Sequence, residues 1–157
     1  MRKKIVNPFD PEKNLCFGCG VNNPYGLRLS FEREKDELIA SWDPQSYYQG
    51  YLNILHGGIA ATILDEASAW YVHSIIGTAG VTTTLSVNYL RPVFLNKGIV
   101  TARARLVSKE DKMASFECGL YDGSGTLCVT ADTQFFIYPE EVAKRKFSYP
   151  GKEHFTI

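Results

Sequence analysis

The chain has 157 residues, enough for one domain of ordinary size with a real core. It is 45% hydrophobic and 22% charged, a globular balance that excludes an intrinsically disordered chain. Lys+Arg 17 and Asp+Glu 17 give a formal net charge of zero, which speaks against an electrostatic nucleic-acid binder.

The N-terminus, MRKKIVNPFDPEKN, opens basic but has no apolar stretch behind it, so it does not read as a secretory signal. Residues 1–26 are rich in Asn, Pro and Gly and read as an extended arm with turns. Inside the arm, Cys16 and Cys19 form a CxxC within CFGCGVNNPYGL. A zinc site needs four ligands, and Cys118 and Cys128 stand singly in strand-like segments without a second CxxC. A redox CxxC usually opens a helix after a strand, whereas this one lies among turn residues. The expectation is a structural turn packed on the domain, with reduced thiols, no metal and no cofactor.

From Leu27 the pattern alternates: Leu27, Leu29 and Phe31 on one side, Arg28, Ser30 and Glu32 on the other. That is a half-buried strand, and ELIASWD (37–43) reads as a second one after a charged turn. PQSYYQGYLNIL (44–55) reads as an irregular aromatic loop. From Gly57 to about Ile76 there is neither proline nor internal glycine after the Gly57-Gly58 pair, and Ala, Ile and Leu dominate. The apolar residues cover nearly every side, so the spacing predicts a buried helix ended by Gly77 and Gly80. Asp65, Glu66 and His73 interrupt this stretch, which therefore does not read as a membrane span, and the expected location is cytoplasmic.

VTTTLSVNYL (81–90) predicts a strand with Val81, Leu85, Val87 and Tyr89 toward the core and Thr82, Thr84, Ser86 and Asn88 away from it. Strands follow at 98–108, 113–121 and 126–138, the last two joined by the turn DGSG (122–125). EEVAKRK reads as a short helix, followed by a polar tail. The domain organisation is an arm (1–26), a folded body (27–138) and a tail (139–157). The order β-β-α-β-β-β-β with short late turns implies an antiparallel sheet curled around one helix, an α+β fold.

The chemistry concentrates in LNILHGGIAATILDEASAW (52–70). Gly57 and Gly58 lie at the predicted helix N-terminus, where the first N–H groups lack intrahelical partners. Glycine lets another group approach that backbone closely, which suits an oxyanion hole, but a plain tight turn explains the same residues. Asp65 and Glu66 are adjacent and cannot share a helix face. Either one is an enclosed base or nucleophile, or both are solvated helix charges. His56 fits an orienting role at the turn. Gly57 and Asp65 stand ~12 Å apart along one helix, whereas a reacting carbonyl needs both within roughly 3–3.5 Å or one water. If both act on one carbonyl, a second copy of the helix must supply one of them, which places the site at a two-fold interface. No G-x-S-x-G, GxGxxG or P-loop is present.

HGGIAATILDE, with an acid nine residues after the His, resembles the central-helix signature of hotdog-fold acyl-CoA thioesterases of the PaaI type. YQGYLNIL, VNYLRPV and CFGCGVNNPYGL are similar to the same group, so the resemblance covers roughly 15–138. It implies a hotdog fold, homodimers with a continuous sheet, often dimers of dimers, and metal-free hydrolysis of an acyl-CoA. It further implies that Gly57 supplies the oxyanion N–H, aided by Gly58, and that Asp65 of the partner subunit is base or nucleophile. His56 would support the thioester end. Thr82 best matches a residue that positions water, with Thr83 beside it. Where relatives carry Asn or Gln six residues before the His, this chain has Gly50, leaving Gln49 or Asn53 to substitute. Arg91, Lys97, Arg103 and Arg105 are either phosphate contacts or ordinary surface charge. Competing expectations are a non-catalytic acyl-CoA binding module and a hotdog enoyl hydratase or dehydratase. The second pairs a catalytic His with a Pro-Gly helix start that this chain lacks.

Overall fold

The computed structural model describes residues 1–156. In chain order it has β1 (Lys3–Ile5), β2 (Ser30–Glu34), β3 (Glu37–Trp42), β4 (Gln49–Tyr51), β5 (Ile54–Leu55) and α1 (Gly57–Tyr71). There follow β6 (Gly80–Tyr89), β7 (Val100–Glu110), β8 (Met113–Tyr121), β9 (Leu127–Ile137) and α2 (Glu140–Phe147). Seven strands form one antiparallel sheet in the order β1-β2-β3-β7-β8-β9-β6, and β4-β5 form a separate small hairpin. The sheet curls around α1, as the alternating late strands and the single apolar helix required. Among the described residues no helix is long and apolar enough to cross a membrane.

Small side chains let the helix settle on the sheet. Leu38, Ala104, Cys118 and Ala131 align across four strands, and Ala40, Ala102, Leu120 and Val129 form the next row. All eight are buried, against Ala60, Ile63, Leu64, Ala67 and Trp70 of α1. Fully burying a side chain such as Ile63 or Leu64 stabilises by about 1.5–3 kcal/mol. The one hydroxyl cluster in this layer is satisfied internally: Thr133 donates to Ser68 Oγ at 2.8 Å, and Ser68 donates to the Leu64 carbonyl at 3.2 Å. Trp70 stacks on Phe31 with ring centroids 4.0 Å apart, tying α1 to β2.

Four expectations need correction. The helix is α only to Tyr71; Val72–Ile76 continue it as a wider π-helical turn, and Gly77 at φ 97° closes it. The polar tail is anchored: Tyr149 and Phe155 are buried, and Phe155 packs on Phe9 and Trp70 while its carbonyl accepts from Val6 N–H. The arm likewise contributes β1 to the sheet edge, so Ile5, Cys19 and Phe155 share one core with the body. Lone aromatics in polar segments carry no periodic signal, which is why sequence pattern misses them.

The fourth correction concerns β6. A bulge falls between Thr82 and Thr84, so Thr82 pairs with Phe135 and Leu85 with Thr133. The unpaired residue shifts the alternation by one. Thr82 therefore faces the helix on the same side as Leu85, instead of pointing away. The strand also stays more open than its pattern suggests: Val81, Leu85 and Tyr89 are 40%, 37% and 55% exposed. It is an edge strand, bonded to β9 on one side only.

Candidate active site

The helix start is built by a histidine cap. His56 is extended (φ −60°, ψ 131°), and its Nδ1 accepts from Gly58 N–H at 2.9 Å. The N–H groups of Ile59 and Ala60 both reach the His56 carbonyl, and His56 N–H reaches the Tyr48 carbonyl. Gly57 N–H has no partner among the described residues. So of the donors bunched at this terminus one is left pointing outward, with the positive end of the helix behind it. Gly58, grouped with Gly57 by sequence, has already spent its N–H on the cap.

A cleft of about 560 Å³ opens at this point, lined by Tyr51, Leu55, Gly57, Tyr89, Arg91 and Val93 among others. Tyr89 closes one side by donating its hydroxyl to the Gly57 carbonyl at 2.5 Å. The β4–β5 hairpin forms the rim. Gln49 Oε1 accepts from Asn53 N–H at 3.4 Å, and Asn53 takes the left-handed turn position at φ 61°. Gln49 and Asn53 thus engage each other at the hairpin, whose Gly50 lies against His56. Of the four basic candidates, Lys97 pairs with Asp122, Arg103 with Glu34 and Glu37, and Arg105 with Glu117. Arg91 alone lines the cleft. Trp70 and Tyr71 are core residues.

Two turns further along, Asp65 is half-buried and accepts from Thr82 Oγ1 at 2.7 Å. Burial raises its pKa, and the Thr82 hydrogen bond opposes that rise. Thr83, at the bulge, donates instead to the Gln134 carbonyl across the strand pair. Gly57 and Asp65 therefore sit at opposite ends of β6: Tyr89 meets Gly57 at one end, and Thr82 meets Asp65 at the other.

Glu66 faces elsewhere. Its carboxylate accepts from Trp70 Nε1 at 3.1 Å and lies 3.4 Å from Cys16 Sγ. Burial, and then the charge of Cys16, push its pKa up to about 8. Cys16 is pulled down to about 5, first by its hydrogen bond with Cys19, and Cys19 is pushed up by the same bond. The meeting of the CxxC turn with Glu66 was invisible to sequence reasoning, since the partners lie 50 residues apart. The only signal was Glu66 itself, a charge on an otherwise apolar helix.

The family model of the thioesterase superfamily matches residues 52–129. The chain is 29% identical over 96 residues to the protein named Putative esterase SSO1253 of Saccharolobus solfataricus, covering 60% of this chain and 63% of that one. The chain spans 63% and 49% of the lengths of two curated relatives that it matches. The fold superimposes on the PaaI protein of the E. coli phenylacetic acid degradation operon with TM-score 0.64 at 16% identity, covering 73% of this chain and 82% of that one. It also superimposes on the BH2602 protein of Bacillus halodurans, solved with CoA, with TM-score 0.64 at 23% identity, covering 72% and 76%. At such identities these two likenesses speak for the fold.

Proposed function

Because the chain belongs to the thioesterase superfamily and has its hotdog fold, we propose that it hydrolyses an acyl-CoA thioester to free acid and CoA, in a site shared by two subunits. The observation that carries this reading is the placement of Gly57 and Asp65 at opposite ends of an edge strand with a free side. A long unpaired edge is a template for another strand. Antiparallel pairing of β6 with its own copy, about a two-fold axis near Leu85 and Ser86, sets Tyr89 opposite Thr82 of the partner subunit. The free N–H of Gly57 then faces the partner subunit's Asp65 across the join. The dimer carries two such sites.

In this site the thioester carbonyl accepts from Gly57 N–H at the helix start. The partner subunit's Asp65, steadied by its Thr82, takes a proton from water as the water attacks the carbonyl carbon. Charge moves onto the carbonyl oxygen, where the single free donor and the helix terminus stabilise it. Collapse breaks the carbon–sulfur bond, and the proton held by the carboxyl leaves with the CoA thiolate. Direct attack by the carboxylate, giving an anhydride that water then opens, uses the same geometry. The cleft at Gly57 receives the thioester end of CoA, with Arg91 at its rim placed for a phosphate. The CoA bound by the Bacillus halodurans structure supports this choice of substrate class.

The test is thiol release from a panel of acyl-CoAs by the purified protein and by Asp65→Asn. Turnover of at least one acyl-CoA, lost in Asp65→Asn with the dimer intact, supports the proposal. Saturable binding without thiol release across the panel would make the protein a binding module and overturn it.

A further inference from the structure

The CxxC turn of the arm closes over α1 at a point the hydrolytic reading does not use. Cys16 Sγ, Cys19 Sγ and a Glu66 carboxylate oxygen all lie within 4.8 Å of one another. A tetrahedral zinc with Zn–S of about 2.3 Å and Zn–O of about 2.0 Å sets its ligand atoms roughly 3.5–3.8 Å apart. The 3.4 Å between Cys16 Sγ and Glu66 already matches that spacing.

The surroundings are those of a metal knuckle. Asn14 Nδ2 lies 3.8 Å from the Cys19 sulfur. Such N–H donors orient and hold thiolate ligands. Trp70 Nε1 fixes the carboxylate from behind. Gly18 leaves the carboxylate its place, since a Cβ there would sit 2.5 Å from the Glu66 carboxyl carbon and force it to shift. Three acidic groups have thus been packed together, and no ion pair reaches Glu66 among the described residues. A cavity of about 590 Å³ borders all three and leaves room for a water as fourth ligand.

We infer that Cys16, Cys19 and Glu66 bind a thiophilic divalent cation, zinc, which pins the arm to the central helix. Two thiolates with one carboxylate select zinc over magnesium or calcium. Cys118 and Cys128 take no part: Cys118 lies against Ser68 under the helix, and Cys128 lies near the Thr126 carbonyl. The four-cysteine count that argued against zinc omitted the ligand which the fold, and not the spacing, delivers.

The experiment uses the full chain, reduced with a phosphine, equilibrated with zinc chloride, desalted, and assayed for metal by mass spectrometry. The expected content is about one zinc per chain, falling to background in Cys16→Ser/Cys19→Ser. Glu66→Gln keeps the shape of the side chain and is expected to weaken binding by roughly tenfold or more. Cobalt substitution gives a thiolate-to-metal charge-transfer band in the wild type that the double serine variant lacks. Wild-type protein that retains no zinc after this treatment overturns the assignment, whatever the variants do. So does equal metal content in the double serine variant, or a Cys16–Cys19 disulfide that forms in preference to metal loading. None of these readouts depends on acyl-CoA hydrolysis.

Discussion

Gly57→Pro isolates one hydrogen-bond donor. Of the first N–H groups of α1, those of Gly58, Ile59 and Ala60 are all taken up by His56, leaving Gly57 N–H alone. Proline at this first helical position removes that N–H and nothing else from the ladder. His56 already holds ψ 131°, the extended setting that a residue before proline prefers. A Cβ at position 57 comes no nearer than 3.4 Å to the Tyr89 ring, an ordinary contact. Stability should thus hold or rise, by about 0.4–1 kcal/mol through the unfolded chain. Losing the proposed oxyanion donor should cost about 100–1000-fold in kcat, or roughly 2.7–4 kcal/mol of transition-state stabilisation. The assay is thiol release under saturating acyl-CoA, with thermal melts to confirm the fold and Gly57→Ala as the control that keeps the N–H. If Gly57→Pro turned over at the wild-type rate, or if Gly57→Ala fell equally far, the donor argument would be wrong.

Mixing Gly57→Pro with Asp65→Asn chains tests whether the site is shared. Random re-pairing should restore about a quarter of wild-type activity, since half the dimers then hold one intact site of two; no restoration refutes a shared site. Leu85→Asp places a charge beside the proposed two-fold axis and should give monomers by light scattering with turnover below about a tenth of wild type, since like charges meet across the join; an active monomer counts against the interface. Asp122 tests the β8–β9 turn. Burial raises its pKa, but hydrogen bonds from Ser124 and Thr126 and the charge of Lys97 outweigh this and hold it at about 2, below the ordinary 3.8. A depressed carboxyl stabilises the fold above its unfolded pKa and loses that contribution as pH falls through the folded value. Asp122→Ala should therefore cost about 2 kcal/mol near neutrality, and the gap to wild type should close between 3.8 and about 2. A gap that persists under acid would assign the effect to packing.

What could be read from the chain was whatever depends on residue type and local period. The helix from Gly57 and the late antiparallel strands both have that character. The arm's β1 and the anchoring of Phe155 were hidden because a few isolated residues carry them. The inward turn of Thr82 was hidden for a different reason: a one-residue bulge inverts a strand's faces, and nothing in VTTTL marks where it falls. The resemblance pointed to Thr82 where the alternation pointed away from it. Glu66 meets Cys16 only through tertiary folding, so no local window contains the pair.

The cap at His56 also decides where that ring carries its hydrogen. Nδ1 receives the amide of Gly58, so in the neutral imidazole the proton belongs on Nε2. The ring's one N–H therefore lies on the side away from the amide that it caps. A side chain placed to begin a helix is, by that bond alone, set in one tautomer.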